Sequence, residues 1–332
     1  MNGMIAACLL ASAVGNQGLA VKTTKIAGAS VSYVVIDPKL YAAKVVTGKG
    51  NVGSLDSLKN MANRYKAVAA INGAFFDAYS NNAIRNTVQT MISDGMPINL
   101  SDIGVVFGMN QEGKVRIDPL KIRIRGKVGN QSWYAFRANN DPLSKNLAQI
   151  FTPHWGAKTG LSGLQVQISD GQVRQVSRSS VTIPAGGYVL YFKGTEESMG
   201  SRFKFGDKVS MTIDYGTSQS AFWEGVTEGM GGGPTLVRGG KDVLDAESEG
   251  FRDPKILSGS GSRTLLGIMP DGQVVLAVST GTMTKMVAVM RGLGCSEAMN
   301  LDGGASSGMI VNGKAVRAEG RPLANALVFT KR

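Results

Sequence analysis

The sequence predicts an α+β fold, a single β-rich domain of mixed and antiparallel sheets with a few helices. Glycine is abundant, at 44 of 332 residues, and aromatic residues make up only 7% of the chain. This composition favours turn-rich β structure over helical bundles. Most apolar segments are short and alternate with polar residues, whereas clear helical spacing occurs in two places. Apolar residues, at 43%, suffice for a substantial core, and no linker divides the chain.

Residues 1–20 are predicted to form a signal segment. The apolar run at 4–14 is too short to span a bilayer, and Gly18-Leu19-Ala20 resembles a cleavage region. No Lys or Arg precedes Lys22, so the basic part of a signal peptide is missing. We expect export, to the periplasm or the extracellular space. Ile5-Ala6-Ala7-Cys8 also resembles a lipoprotein box, and only such an anchor would bring the protein to a membrane.

The net charge of +12 indicates an acidic partner, either a small sugar phosphate or an anionic polysaccharide. No helix-turn-helix, zinc finger or aromatic-basic pattern is present, which argues against nucleic acid. His154 is the only histidine and Cys295 the only cysteine beyond the signal segment, so the chain offers no zinc ligand set. We therefore predict no metal site and no cofactor. A divalent cation at the acidic loops, and the oligomeric state, stay open.

Residues 21–64 are predicted to form leading strands and a helix. Alternating apolar residues within 23–47 indicate two strands, separated by a turn at Asp37-Pro38. The helix is predicted to have Ser54 as its N-cap and to end near Arg64, with apolar residues at helical spacing: Leu55, Leu58, Met61 and Ala62. The second helix is predicted over 286–293, where Gly294 ends it.

Asn72 follows a continuous apolar strand at 67–71, a position from which side chains often face a ligand. The alternative is a tight turn in which Phe75 and Phe76 anchor the core. Residues 121–127 form a period-two strand with a row of basic residues on one face: Lys121, Arg123, Arg125 and Lys127. This face is either simply solvated or guides an anionic substrate.

Gly231, Gly232 and Gly233 precede a strand and could form a backbone cradle for phosphate. No Gly-Lys-Ser/Thr follows, so this is not a Walker loop. The acidic segment 242–253 is either a lid or a solvated excursion. Arg263 stands at the start of a strand and offers a planar donor fork suited to phosphate. An ion pair with the acidic segment is the competing interpretation.

The segment Asn300–Gly308 places Asp302 beside glycines and serines at an element junction. Glycines allow close approach of backbone and ligand, and hydroxyls both donate and accept hydrogen bonds. The pattern indicates an anion or sugar site. A polar turn, in which Asp302 caps local amides, explains the same spacing.

Together these motifs resemble the phosphodiester glycosidase family over residues 65–332. The matching pieces occur in family order: Ala70–Phe76, Thr152-Pro153 with Trp155-Gly156 and Thr159, Ile183–Leu190, Gly232–Val237, Arg263-Thr264 with Gly267, Asn300–Ser307, and Arg321. The departures are Ala74 and Ala305, where the family has glycine. They leave the chemistry in place but could alter the fit of the substrate.

The resemblance implies a hydrolase that cleaves a sugar-1-phosphodiester, with α-linked N-acetylglucosamine as the sugar, at the C1–O bond. It assigns catalysis to Asp302, Asn72 and Arg263. Binding of the substrate is assigned to Gly231, Gly232, Gly233, Thr159, Gly303, Gly304, Ser306 and Arg321. Two alternatives stay open at this point. One is a metal-dependent phosphodiesterase that cuts P–O, and the other is a non-catalytic envelope protein that binds exopolysaccharide.

Overall fold

A computed structural model describes residues 19–332. The prediction of a signal segment therefore falls almost wholly outside the described residues. Most secondary-structure elements are short strands that are linked by turns, and few helices lie between them. Within residues 19–332 there is no helix long and apolar enough to cross a membrane.

The strands up to residue 128 are β1 (Lys22–Ile26), β2 (Ala29–Ile36), β3 (Tyr41–Thr47), β4 (Ala69–Asn72), β5 (Met91–Ser93), β6 (Met96–Asn99), β7 (Val105–Asn110), β8 (Val115–Asp118) and β9 (Arg123–Val128). The next are β10 (Gln131–Ala135), β11 (Arg137–Ala138), β12 (Leu147–Phe151), β13 (Leu164–Ser169), β14 (Gln172–Ser177), β15 (Gly187–Lys193) and β16 (Val209–Asp214). The last are β17 (Val226–Gly232), β18 (Thr235–Arg238), β19 (Lys241–Asp242), β20 (Gly261–Ile268), β21 (Val274–Gly281), β22 (Glu297–Asn300), β23 (Met309–Val311), β24 (Lys314–Arg317) and β25 (Asn325–Lys331). The α-helices are α1 (Leu58–Arg64), α2 (Glu197–Gly200), α3 (Ser220–Trp223), α4 (Pro254–Leu257) and α5 (Met283–Gly292).

These strands form one seven-stranded sheet, three five-stranded sheets and one three-stranded sheet. The seven-stranded sheet has the order β1-β2-β21-β20-β22-β18-β19. The five-stranded sheets are β24-β23-β4-β25-β3, β6-β5-β17-β7-β8 and β11-β12-β15-β13-β14, and the small sheet is β10-β9-β16. Within these sheets the pairings are antiparallel, with one parallel pair, β11 with β12. The predicted α+β fold of mixed and antiparallel sheets is confirmed.

The leading strands pair with strands from the end of the chain. β2 lies beside β21, and β3 lies beside β25 in a register that joins Thr47 to Asn325. The largest apolar cluster lies where the seven-stranded sheet and two of the five-stranded sheets meet, and it includes Leu276, Ile71, Phe329 and Phe107. This packing fixes the ends of β4, β20 and β22 relative to one another.

Helix α1 begins three residues later than predicted. Its N-cap is Ser57, whose side chain accepts a hydrogen bond from the amide of Asn60, so the assignment of Ser54 was wrong. The Ser54 hydroxyl instead donates to Asn51 O at 2.6 Å and holds the preceding turn. Three residues of the predicted apolar face, Leu58, Met61 and Ala62, are buried in the helix, whereas Leu55 precedes it and is only partly buried. The N-cap of helix α5 is Thr282. Gly294 follows the end of this helix, as predicted, and has φ +85°, a conformation that favours glycine.

Candidate active site around Asp302

The candidate site lies where two sheets meet at the ends of β4 and β22. Asn72 closes β4, and Asp302 follows β22 by two residues. The backbone joins the two loops directly, because the Asp302 amide donates to Gly73 O at 3.0 Å. The Leu301 amide donates to Thr264 O at 2.8 Å and ties the same loop to β20. Asp302 is therefore held from both sheets.

Asn72 is the junction between these segments. Its side chain is buried, with 1% of its surface exposed. Nδ2 donates to Asp302 O at 2.8 Å, while Oδ1 accepts from the Thr264 hydroxyl at 2.8 Å and from the Gly308 amide at 2.9 Å. The structure thus places Asn72 beside Asp302, as predicted. The Asn72 amide is also occupied by protein partners, and its predicted catalytic role and contact with sugar stay predictions.

The Asp302 carboxyl group is half-buried and carries a perturbed pKa. Burial raises its pKa from the ordinary value of 3.8 to about 6. The Ser306 hydroxyl, the Gly303 amide and the positive charge of Arg321 oppose this rise. The Gly303 amide donates to Asp302 Oδ1 at 2.8 Å. The carboxyl group is therefore held in place by neighbouring donors, and its pKa lies close to the range in which a general base operates near neutral pH.

The turn after Asp302 requires its glycines. A Cβ atom at Gly303 would lie 2.8 Å from Ser262 O, so only glycine lets the loop approach the start of β20. Gly304 has φ +61°, a conformation that favours glycine, and begins a 3₁₀ turn through Ser306. Gly304 and Ala305 are exposed, whereas Ser306 is buried. The predicted residues Gly303, Gly304 and Ser306 thus form the wall beside the carboxyl group.

Arg263 is buried, with 4% of its surface exposed, and has no carboxylate partner among the described residues. Its Nε donates to Gly281 O at 3.0 Å, and one Nη donates to Lys255 O and Gly259 O at 2.6 Å each. The other, Nη1, would lie 3.7 Å from a Cβ at Gly303. Burial lowers the pKa of the guanidinium. The competing interpretation of an ion pair with the acidic segment was wrong.

Arg321 and Lys255 both lie close to Tyr79, and the charge of Arg321 also acts on Asp302. Arg321 donates to the Tyr79 hydroxyl at 3.0 Å, and its guanidinium lies 4.7 Å from the centre of the Tyr79 ring. Lys255 Nζ lies 5.8 Å from the same ring centre. The hydrogen bond and charge of Arg321 lower the pKa of Tyr79, while the charge of Asp302 opposes that shift. Arg321 is therefore close to Asp302, as the resemblance implies.

Tyr79 and Lys255 are site residues that the sequence did not reveal. Tyr79 lies in the loop between β4 and β5 with 77% of its surface exposed, and Lys255 lies in the short helix α4. The exposed aromatic residue soon after the Asn72 motif was the available signal. Lys255 lacked one, because α4 follows the acidic segment. That segment is anchored by Glu249, whose carboxylate accepts from the Thr235 amide at 3.0 Å.

The glycines at 231–233 have a different task from the predicted phosphate cradle. The Gly231 amide donates to Thr90 O at 2.8 Å, and the Gly233 amide donates to Asn300 O at 2.6 Å, so neither is free to bind phosphate. A Cβ at Gly232 would lie 2.6 Å from Asn300 O. Glycine is needed at these positions because neighbouring backbones approach closely. The predicted phosphate cradle at Gly231 and Gly233 is therefore wrong.

Thr159 is not linked to Asp302 by any contact among the described residues. Its hydroxyl lies 2.5 Å from Gln165 Oε1 and accepts from the Val181 amide at 3.3 Å. His154 lies elsewhere, with Nε2 3.9 Å from Asp94 Oδ2, and burial lowers its pKa. Cys295 is buried, and burial raises the pKa of its thiol to about 12.

Two surface depressions, of about 700 and 450 Å³, lie away from Asp302. The larger is lined by Arg291, Cys295 and their neighbours, and neither contains a predicted site residue. Size alone does not identify a catalytic site, and neither depression is lined by a half-buried carboxylate with cations around it. Across residues 19–332, no three His, Cys, Asp or Glu side chains form a group that could hold a metal ion.

Comparison with models of known protein families identifies the family of this chain. The family model described as phosphodiester glycosidase matches residues 162–330. The chain belongs to the phosphodiester glycosidase family. The match covers Arg263, Asp302 and Arg321, and it confirms the resemblance inferred from the motifs. Membership in this glycosidase family indicates a glycosidase-like enzyme.

Solved structures share the fold of this chain. A hypothetical protein from Synechocystis has 20% identity and a TM-score of 0.78, over 95% of this chain and 62% of its own length. A candidate exported protein from Burkholderia pseudomallei has 19% identity and a TM-score of 0.71, over 91% of this chain and 74% of that one. The zebrafish N-acetylglucosamine-1-phosphodiester alpha-N-acetylglucosaminidase catalytic domain, auto-inhibited by its pro-peptide, has 12% identity and a TM-score of 0.50, over 95% and 82%.

The chain thus spans 62% of the length of the Synechocystis protein. The search of curated proteins gave no match. At these identities the solved structures establish the fold alone.

Proposed function

We propose that this protein hydrolyses the C1–O bond of a sugar-1-phosphodiester, with α-linked N-acetylglucosamine as the sugar, and releases the sugar and a phosphomonoester. The observation that carries the proposal is a half-buried carboxyl group, Asp302, on which the positive charge of Arg321 acts, next to a glycine, Gly303, that lies beside Arg263 Nη1. Family membership supports a glycosidase, and the zebrafish relative is named for this reaction.

The leaving group explains why one carboxylate suffices. Most glycosidases use two carboxyl groups, one of which protonates the departing oxygen. A phosphomonoester is already stable as an anion, so the C1–O bond can break with its electron pair on the phosphate oxygen without strong acid assistance. Cations around the phosphate stabilise the charge that develops there. Arg321, whose charge acts on Asp302, and Arg263, beside Gly303, supply such positive charge.

Asp302 is assigned the role of the base. It accepts a proton from water while the water oxygen bonds to C1, and its negative charge also stabilises the oxocarbenium-like sugar. Asn72 holds the backbone of Asp302 through Nδ2 and so positions the carboxyl group relative to the substrate. The Ser306 hydroxyl, which already contacts the carboxyl group, supplies a hydrogen bond to the sugar.

The phosphate is assigned to Arg263 Nη1, Arg321 and Lys255. The Tyr79 hydroxyl accepts a hydrogen bond from Arg321, and both Arg321 and Lys255 lie close to the exposed Tyr79 ring. The Nη1 atom of Arg263 lies beside Gly303, the residue that follows Asp302. A phosphodiester carries one negative charge, and these groups would hold it and the second charge that appears on cleavage.

The test is hydrolysis of an α-N-acetylglucosamine-1-phosphodiester in ¹⁸O-water. We expect the label in the sugar, because water attacks C1. Label in the phosphate would instead establish the alternative phosphodiesterase, which cuts P–O and calls for a metal ion. Binding without turnover for every α-sugar-1-phosphodiester would establish a non-catalytic binding protein. Asp302→Asn should abolish labelling, whereas Asp271→Asn, at an exposed turn carboxylate, should not.

We also propose that the protein works outside the cytoplasm, in the periplasm or the extracellular space. The Burkholderia structure described as a candidate exported protein supports this location. Fractionation of cells that express the full chain tests it, since the proposal requires the protein in the periplasmic or culture fraction. Recovery in the cytoplasmic fraction alone would contradict it.

A further inference from the structure

The three-stranded sheet β10-β9-β16 presents one face to solvent. Its other face packs into an apolar cluster that includes Ile124, Trp133 and Val209. On the solvent face Arg123, Arg125 and Lys127 alternate along β9, and Lys121 continues the row. At about 3.3 Å per residue, the three residues of β9 span about 13 Å. The face is therefore a linear cationic surface as long as two or three sugar units.

An aromatic pair flanks one end of this row. Tyr134 lies opposite Arg125 in the sheet, and Phe136 follows it two residues later. The two rings are exposed by 46% and 43%, and their centres are 6.2 Å apart at an angle of 35°. Exposed aromatic faces carry partial negative charge, and the C–H groups of a sugar ring stack against such faces. The pair forms a platform for one sugar ring.

A depression of about 450 Å³ lies at the other end of the row. It is lined by Lys127, Lys208, Asp170 and Ser210 among others. Ser210 lies opposite Lys127 across β9 and β16, so the depression continues the solvent face of the sheet. Two ammonium groups at a depression of this size suit a sugar that carries an acidic group.

Carboxylates interrupt the cations on this face. Asp102 pairs with Arg123 at 2.8 Å, Asp214 pairs with Arg125, and Glu196 accepts from the Tyr134 hydroxyl at 2.6 Å. A nucleic acid, with a phosphate at every nucleotide, would meet these acids along its whole length. Sugar hydroxyls, in contrast, donate to carboxylates. The alternation favours an acidic glycan, whose hydroxyl groups can face the carboxylates while its acidic groups face the cations.

We propose that this face binds an anionic polysaccharide, with one sugar ring on Tyr134 and Phe136 and an acidic sugar between Lys127 and Lys208. The surface shares no residue with the Asp302 site, so the inference does not depend on the proposed reaction. It gives the chain a second binding region, which would hold a polymer while the site at Asp302 acts on a linkage.

The experiment measures binding of the full-length protein to polygalacturonate by calorimetry at physiological salt, with neutral dextran and poly(dT) as comparison polymers. The double variant Lys121→Gln, Lys127→Gln is matched with Lys22→Gln, Lys25→Gln, which removes the same charge from exposed positions of β1. The double variant Tyr134→Ser, Phe136→Ser is matched with Leu40→Ser, at an exposed turn. Circular dichroism and thermal unfolding of each variant serve as the control for folding.

We expect the Lys121, Lys127 variant to bind polygalacturonate about fivefold to tenfold more weakly. The aromatic variant should lose about as much. The matched controls should lose less than about twofold, because exposed charges beyond the Debye length are screened. Equal losses in the β1 control would show diffuse attraction and overturn the site. An unaffected aromatic variant would remove the sugar platform, and tighter binding of poly(dT) than of polygalacturonate, lost in the same variants, would identify a nucleic-acid surface instead.

Discussion

Replacing Asp302 by Asn should remove activity and at the same time stabilise the protein at neutral pH. The pKa of Asp302 is raised from 3.8 to about 6, so the folded state binds its proton more tightly than the unfolded state does. The associated stability is present below pH 3.8 and is lost as pH rises through about 6. A shift of about two units corresponds to about 3 kcal/mol, which the ionised carboxylate costs at neutral pH.

Asparagine is suited to this test because it keeps the local contacts. Its Oδ1 still accepts from the Gly303 amide, and the Ser306 hydroxyl can accept from its Nδ2. We expect the variant to unfold with a free energy about 1 to 3 kcal/mol above that of the natural protein at pH 8, and with no gain at pH 4. The loss of a general base should lower kcat/KM about 10² to 10⁴-fold.

The assay is urea denaturation of both proteins at pH 4 and pH 8, together with turnover of a sugar phosphodiester. Asp271→Asn, at an exposed turn, is the control and should show no such pH dependence. A variant that is equally stable at both pH values, or less stable than the natural protein at pH 8, would refute the reasoning that burial of a charge sets the pKa of Asp302.

Other changes test the surrounding groups. Asn72→Ala leaves the Gly308 amide and the Thr264 hydroxyl without their acceptor and should destabilise the protein by about 2 to 3 kcal/mol in urea denaturation. An unchanged urea midpoint would show that these hydrogen bonds of Asn72 do not stabilise the fold. Arg263→Lys cannot reach the carbonyls of Lys255, Gly259 and Gly281 as one planar fork, and KM should rise about tenfold; steady-state kinetics with unchanged KM would separate Arg263 from phosphate. The natural enzyme should lose kcat/KM as pH falls below about 6, because the protonated Asp302 cannot accept a proton; a flat acid limb would exclude Asp302 as the base. Tyr79→Phe keeps the ring but loses the hydroxyl that holds Arg321, so KM should rise about threefold while kcat changes little; a fall in kcat alone would place Tyr79 in the chemical step instead.

The sequence revealed most of the architecture because the relevant signals are local. Alternation of apolar and polar residues located the basic strand β9, a continuous apolar run located the strand that ends at Asn72, and helical spacing located α1 and α5. Its error at Ser54 arose because two serines three residues apart both fit the capping pattern. Only the tertiary structure shows that Ser57 faces the first free amides of the helix.

The site was harder to predict, since it is made of contacts between distant segments. The order of the motifs indicated Asp302, Arg263 and Arg321 together. The same motifs suggested amides at Gly231 and Gly233 for phosphate, but those amides bind carbonyls of neighbouring strands. Glycine patterns look alike when they serve close packing and when they serve a ligand, because both require the absence of a Cβ atom.

By itself, then, the sequence determined the fold class, the positions of most elements and the family to which the chain belongs. The tertiary structure decided which polar groups are left free for chemistry. In the folded chain the amide of Asn72 is hydrogen-bonded to the backbone of Asp302, and Tyr79 is exposed beside Arg321 and Lys255. Asp302 is buried enough for its pKa to rise. The physical reason is that hydrogen-bond partners and desolvation in this site depend on neighbours up to 242 positions away along the chain, and no local pattern records them.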